Sequence, residues 1–109
     1  SFPLFLENIN NFGIKNVVPI VNESSYVAEK WNSPLAMVFI DGGHSFETAM
    51  NDFMSWHKKI ISGGALVIHD IFENPDEGGQ APYEVYMHAL KNGFSDYERF
   101  DTIVCLEKA

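Results

Sequence analysis

Two apolar runs joined by an amphipathic segment dominate the middle of the chain. Leu35–Ile40 and residues 65–68 are nearly continuous apolar runs without the alternation of a half-exposed strand, so both are predicted to be interior strands. Between them, apolar residues recur at helical spacing across residues 46–61, with Ser45 as the N-cap and Gly63 and Gly64 as the stop. The pattern therefore predicts a β-α-β unit with parallel strands.

The rest of the chain also alternates between helix and strand patterns. A helix ending at Gly13 is predicted over residues 3–12, and a short β-branched edge strand containing Pro19 over residues 16–21. A short helix is expected to begin at Ser24 or Ser25 and to run through Trp31. The elements expected after the central unit are a polar loop at 73–80, a helix at Ala81–Leu90 and a hairpin formed by residues 97–100 and 102–106. The chain is thus predicted to be one α/β domain.

Polar residues follow both central strands directly. Because ligands of open α/β sheets bind beyond the carboxyl ends of parallel strands, these positions are the candidate site. We expect Asp41 and Asp70 to lie side by side at this edge. The polar and glycine residues placed there are Asp41, Gly42, Gly43, His44, His69 and Asp70.

Composition removes several classes of function. The 109 residues carry a net charge of −8 with only seven Lys and Arg, which argues against nucleic acid and anionic membranes as partners. The single cysteine, Cys105, lies in an apolar run and is expected to be a buried, unreactive thiol. No apolar run reaches the roughly 20 residues of a membrane span, and no signal-peptide pattern is present, so a cytoplasmic protein is expected.

Each chemical candidate also has a structural interpretation. Asp41 and Asp70 could act in catalysis and cation binding, or could cap the segments that follow them. His44 follows two glycines and is the candidate general base. His69 is expected to point between sheet and helix as a core histidine, because side chains alternate along a strand. The aromatic group of Tyr83, Tyr86 and Phe94 is expected to be core.

Three segments carry a resemblance to a known family. FLENINNFGIKNVVPIVNES, MVFIDGGHSFE and ISGGALVIHD, in this order, resemble the C-terminal part of class I S-adenosylmethionine-dependent methyltransferases, in particular the macrocin O-methyltransferase and cephalosporin-hydroxylase-like groups. The resemblance implies a Rossmann-like three-layer fold with parallel strands and a C-terminal antiparallel hairpin. It also implies S-adenosylmethionine as cofactor, contacted by Asn22, Glu23, Ser24, Asp41 and Gly42. In metal-dependent relatives the acidic residues after these strands hold a divalent cation such as Mg²⁺, which points to Asp41 and Asp70.

The chain departs from the family at the cofactor-binding end. It contains no G-x-G-x-x-G, and nothing in it matches the family's first two strands, so residues 1–109 resemble a single truncated domain. Loss of those strands from the family sheet would leave a gap with unpaired backbone groups. We expect residues 17–21 to pair directly with Leu35–Ile40, or a second chain to fill the gap in a homodimer, or the sequence to be a fragment. Weak or absent cofactor binding by these residues alone is expected.

Three functions remain open at this level. The first is methyl transfer from S-adenosylmethionine to an oxygen of a small-molecule substrate, with His44 as base and a cation at Asp41 and Asp70. The second is a non-catalytic dimeric binding or assembly module that retains the fold. The third is a metal-dependent hydrolase using Asp41, His44 and Asp70, which depends on residue types alone.

Overall fold

The computed structural model describes residues 1–41 and 45–109. Its helices and strands follow the order expected from the sequence, with one exception described below. In chain order they are α1 (Phe2–Asn11), α2 (Ser24–Lys30), β1 (Leu35–Ile40), α3 (Phe46–Trp56), a 3₁₀ turn (His57–Lys59), β2 (Ile60–Ile68), α4 (Ala81–Leu90), β3 (Phe94–Phe100) and β4 (Ile103–Lys108).

The four strands form one mixed sheet in the order β1-β2-β4-β3. β1 and β2 are parallel, as a strand–helix–strand crossover requires, whereas β4 is antiparallel to both of its neighbours, β2 and β3. The hairpin between β3 and β4 turns at Asp101, whose φ is 54°. The Rossmann-like α/β class, with its parallel pair and C-terminal hairpin, is therefore confirmed.

The core lies between one face of the sheet and the helices α3 and α4. Leu66 pairs with Leu106 and Ile68 with Val104, so these four side chains share a face, and all are at most 1% exposed. Phe53 of α3 fills the space above them, together with small side chains that let the helices approach closely. The helical part of this core consists of Ala49, Phe53, Ala81, Val85, Tyr86 and Ala89.

The opposite face of the sheet carries apolar side chains that the described helices do not cover. Met37 and Phe39 on β1 are 57% and 49% exposed, and α1 buries none of its residues. Of the three layers expected from the sequence, the described residues thus form two, a sheet and one layer of helices. Across the same residues, no helix combines the length and hydropathy needed to cross a membrane.

The strand predicted at residues 16–21 is absent, and this part of the prediction was wrong. These residues have no regular secondary structure, and Val18 is 79% exposed. β-branched residues form a strand only when a neighbouring strand pairs with them. In addition, Pro19 lacks the backbone N–H that strand pairing requires. The expected pairing with Leu35–Ile40 is likewise not formed, so β1 lies at an edge of the described sheet and not in its interior.

Gly63 and Gly64 do not stop the central helix, as had been predicted. α3 ends at Trp56, a 3₁₀ turn follows, and both glycines lie within β2, which is longer than the predicted residues 65–68. Gly63 has a φ of 79°, close to a register shift in the β1–β2 pair. A Cβ at Gly64 would lie 2.6 Å from Ile60 Cγ2 and 2.9 Å from the carbonyl oxygen of Ala36. The glycines therefore accommodate an irregular strand.

Candidate functional site

The register of β1 and β2 brings their polar extensions together. Ile40 and Ile68 are paired at the last position of the parallel ladder. The ladder is extended by one hydrogen bond, from the backbone N–H of His69 to the carbonyl oxygen of Ile40, at 3.2 Å. Asp41 therefore lies directly after the end of β1, next to His69 and Asp70 after the end of β2. The sequence predicted this proximity for Asp41 and Asp70.

Three side chains converge at this point. His69 Nδ1 lies 2.7 Å from Asp41 Oδ1 and 3.4 Å from Asp70 Oδ1. One potential ligand atom from each residue lies within 4.8 Å of the other two. The side chain of Asp41 is 51% exposed, that of His69 35% and that of Asp70 41%. Solvent and small solutes therefore reach all three.

His69 does not point into the core, which corrects the sequence prediction. The prediction assumed helices on both faces of the sheet. Alternation from the buried Ile68 turns His69 to the opposite face, that of Phe39, which the described helices leave uncovered. Beyond the strand the imidazole turns toward the carboxylates and lies 6.5 Å, centroid to centroid, from the Phe39 ring. The signal available in the sequence was the polar pair His69-Asp70 directly after an apolar run.

The backbone at Asp70 has an unusual conformation that shapes this edge. Its φ is 63°, in the left-handed region that Asp tolerates better than most residues. The following residue, Ile71, returns to the core at 1% exposure, and its N–H donates to the carbonyl oxygen of Thr102 at 2.9 Å. Asp70 is thus fixed between a strand end and a buried anchor.

The three side chains border a small cleft between the sheet edge and the helices. Its apolar wall is formed by side chains from both strands and from α3 and α4, and its polar rim is the Asp41, His69 and Asp70 group. The residues lining the cleft are Ile40, Asp41, Ala49, Ile68, His69, Asp70, Pro82 and Val85. The volume of this cleft is about 10 Å³, room for about one water molecule, so the cleft itself does not enclose a small-molecule ligand.

Two of the predicted site residues, Gly42 and His44, lie outside the described residues. The next residue, Ser45, caps α3 as expected, because its Oγ accepts a hydrogen bond from the N–H of Thr48 at 3.1 Å. The start of α3 is therefore fixed at Ser45.

The predicted cofactor segment Asn22, Glu23 and Ser24 lies at the start of α2. Asn22 Oδ1 accepts from the Glu23 N–H at 2.7 Å, and Ser24 Oγ accepts from Trp56 Nε1 at 2.7 Å. Ser24 thus holds α2 against α3. Within residues 1–41 and 45–109, no hydrogen bond joins this segment to the Asp41 group.

Cys105 has no features of a nucleophile. It is half-buried on β4, and burial, together with the nearby carboxylates of Glu98 and Glu107, raises the pKa of its thiol. A thiol that stays protonated is a poor nucleophile.

The donor set at the sheet edge fits a divalent cation. Two carboxylates supply hard oxygen ligands and the imidazole supplies one nitrogen, all accessible to solvent. Within the described part of the chain, the carboxylates of Asp41 and Asp70 form ion pairs with His69 and with no lysine or arginine. Among these residues, no lysine or arginine therefore occupies the position of a cation.

Comparisons with known proteins agree with this geometry. The sequence matches the family described as a methyltransferase domain over residues 4–71, which is more than half of the chain. Among solved structures, a protein from Staphylococcus aureus assigned as a caffeoyl-CoA O-methyltransferase has a TM-score of 0.72 at 13% identity, over 95% of this chain and 57% of that chain. A protein from Streptococcus mutans assigned as a methyltransferase, solved with S-adenosylhomocysteine, has a TM-score of 0.64 at 15% identity, over 95% of this chain and 68% of that one.

A further similar structure is MycE, a methyltransferase of the mycinamycin biosynthetic pathway solved with Mg, S-adenosylhomocysteine and mycinamycin VI. Its TM-score is 0.55 at 21% identity, over 79% of this chain and 28% of that chain. At these identities the structural similarities establish the fold, and the family match covers both the first parallel strand and the Asp41, His69 and Asp70 group. The chain therefore belongs to the methyltransferase-domain family and has the fold of the C-terminal part of S-adenosylmethionine-dependent methyltransferases.

Proposed function

We propose that this chain acts in methyl transfer from S-adenosylmethionine to a hydroxyl oxygen of a small molecule, with Asp41 and Asp70 holding a divalent cation. The observation that carries the proposal is the convergence of both carboxylates at the carboxyl ends of two neighbouring parallel strands, inside a methyltransferase domain. That edge is where open α/β sheets bind ligands.

The similar structures support the choice of reaction and cation. The Streptococcus mutans protein was solved with S-adenosylhomocysteine, the demethylated form of the proposed cofactor, and MycE with both this compound and Mg. We extend these properties to the present chain as part of the proposal. The chain spans between 28% and 68% of these relatives, so the activity of a whole enzyme is likewise proposed.

For this reaction the protein must position the cofactor and the substrate hydroxyl and stabilise charge, and little more. Bound S-adenosylmethionine supplies an electrophilic methyl group, and a cation at Asp41 and Asp70 lowers the pKa of a nearby hydroxyl. We assign to His44 the acceptance of the hydroxyl proton, and to Asp41 the orientation of the acceptor at the sheet edge. Asn22, Glu23, Ser24, Asp41 and Gly42 are the proposed cofactor contacts.

The test is formation of S-adenosylhomocysteine, measured by mass spectrometry with a panel of small hydroxyl compounds. Asp41→Asn and His44→Gln should each lower the rate at least about 100-fold, because the first removes a charged ligand of the proposed cation and the second removes the proposed general base. Glu29→Gln is the matched control, since Glu29 is an exposed carboxylate on α2, and it should retain the parent rate. Turnover unchanged in both site variants would contradict the assigned roles.

A second candidate function is a non-catalytic dimeric module. The observation that favours it is the edge position of β1 in the described sheet, together with the half-exposed Met37 and Phe39. Edge strands with apolar side chains pair readily with another chain. In this case light scattering gives twice the mass of one chain, and substitution of Asp41 or His44 changes neither the mass nor the partner bound.

A further inference from the structure

We propose that the Asp41, His69 and Asp70 group prefers a first-row transition-metal ion, in the series from Mn²⁺ to Zn²⁺, over Mg²⁺, and that His69 is the residue responsible for this preference. The inference rests on the proposed function, because it concerns the same cation site. It adds His69 as a third ligand and replaces Mg²⁺ by a transition-metal ion as the expected cation. His69 Nδ1 is the ring nitrogen that lies near both carboxylates.

The spacing of the three donors is close to that of ligands sharing one ion. Neighbouring ligands on an octahedral cation are about 3 Å apart when each bond is about 2.1 Å long. His69 Nδ1 lies 2.7 Å from Asp41 Oδ1 and 3.4 Å from Asp70 Oδ1. All three ligand atoms lie within 4.8 Å of one another. Small side-chain rotations, with the Nδ1 proton moved to Nε2, would direct them at a common point.

The backbone holds the donors in place before any ion binds. The N–H of His69 donates to the carbonyl oxygen of Ile40, the residue before Asp41, at 3.2 Å. On the other side, Ile71 is bonded to Thr102 and buried in the core. Because the donors lie at strand ends fixed by these bonds, the site is preorganised.

The chemistry of the donor set decides between ions. Mg²⁺ prefers oxygen ligands throughout and retains several waters, so an imidazole in its coordination sphere is unfavourable. Transition ions accept imidazole readily, and their affinity for mixed nitrogen and oxygen sites rises from Mn²⁺ toward Cu²⁺. In an oxygen-only site of two aspartates this discrimination would be much weaker. The preference therefore depends on the nitrogen of His69.

The test uses Mn²⁺ as a paramagnetic probe of the purified protein. Binding is followed by loss of the free-ion electron paramagnetic resonance signal, and Mg²⁺ is added as competitor. Pulsed measurements then detect the nitrogen nucleus of a coordinated imidazole. We expect at least about tenfold tighter binding of Mn²⁺ than of Mg²⁺, with nitrogen modulation in the parent protein.

Two variants assign the effect to one residue. His69→Asp replaces nitrogen by oxygen, and should abolish the nitrogen modulation and reduce the preference for Mn²⁺ by about tenfold. His88→Asn, which removes a partly exposed histidine on α4, should leave both readouts unchanged. If His69→Asp fails to fold, His69→Glu makes the same replacement of nitrogen by oxygen. His44→Gln should retain the nitrogen modulation, and its loss in that variant would overturn the assignment to His69.

The outcomes separate this inference from the proposed function. Equal affinities for Mn²⁺ and Mg²⁺, bound Mn²⁺ without nitrogen modulation, or no cation binding would each overturn it. Nitrogen-coordinated Mn²⁺ in a protein without methyl transfer would uphold the metal site and refute the activity. Conversely, methyl transfer by metal-free protein, with no cation binding, would refute the site and uphold the activity.

Discussion

Asp41 and His69 join the ends of two neighbouring parallel strands through a 2.7 Å hydrogen bond between Asp41 Oδ1 and His69 Nδ1. Because a carboxylate only accepts hydrogen bonds, the proton must lie on Nδ1 of the ring. This assigns a specific tautomer to His69 in the metal-free protein.

Asp41→Ala should release His69 from that tautomer, because residue 41 then offers no side-chain oxygen to accept the Nδ1 proton. Long-range proton–nitrogen NMR spectra of metal-free protein distinguish the two forms. The free energy of unfolding should change by less than about 1 kcal/mol, because both side chains are substantially exposed. The spectrum of His88 serves as internal control and should not move. A His69 that carries its proton on Nε2 in the parent protein would contradict the hydrogen bond.

Gly64→Ala should lower the free energy of unfolding by about 1–3 kcal/mol, the usual cost of forcing extra volume into a packed site. The added methyl group would lie 2.6 Å from Ile60 Cγ2 and 2.9 Å from two backbone oxygens, which belong to Ala36 and Ile61. Urea denaturation measures the change. Gly79→Ala is the matched control, because a Cβ there meets nothing within 4 Å, and it should be neutral or slightly stabilising. Equal effects of the two substitutions would show that the approach of β1 to Gly64 is not tight.

Tyr86→Phe should remove about 1 kcal/mol of stability near neutral pH, through loss of the hydrogen bond that the Tyr86 hydroxyl donates to Asp96 Oδ1 at 2.6 Å. Burial and then this hydrogen bond raise the pKa of Tyr86 from 10.0 to about 12. A raised pKa means that the folded state favours the protonated form. Its contribution is therefore complete below pH 10.0 and is lost as the pH rises through about 12.

Unfolding measured across alkaline pH, combined with the ultraviolet absorption of tyrosinate, checks this dependence. Tyr97→Phe is the control, since Tyr97 is 69% exposed on β3 and should change stability little. The prediction fails if Tyr86→Phe leaves the alkaline loss of stability as steep as in the parent protein.

Met37→Lys should convert the proposed homodimer to a monomer. A lysine on an edge strand opposes pairing with another chain through its charge and its hydration. Met54→Lys provides a matched comparison, because Met54 is 49% exposed and belongs to helix α3 and not to the edge strand. Light scattering at several protein concentrations gives the mass of each variant. A parent protein that is monomeric at all concentrations would exclude the dimer.

Sequence patterns located most elements because they reflect local physics. The uniform apolar run of Leu35–Ile40 and the helical periodicity after Ser45 each identify their element without knowledge of the partners. Residues 16–21 have an equally β-like composition, yet they form no strand. Strand formation depends on a neighbour that composition does not reveal.

The candidate site was predictable only in part, for a related reason. Asp41 and Asp70 could be placed together because parallel strands end at a common edge. The orientation of His69 could not, since alternation turns it away from the face of Ile68 and the sequence does not reveal that the described helices leave that second face uncovered. On this open face the imidazole meets the carboxylate of Asp41, at the edge where functional side chains of such sheets are found.

The central position of β4 in the sheet affects how the protein is made. Val104 and Leu106, both nearly inaccessible to solvent, follow β1, α3, β2 and α4 in the chain and leave the ribosome after them. Until they emerge, one edge of β2 lacks its antiparallel neighbour. The nascent chain must therefore carry β1, α3, β2 and α4 without a closed core, and is exposed to aggregation and to chaperones throughout that interval.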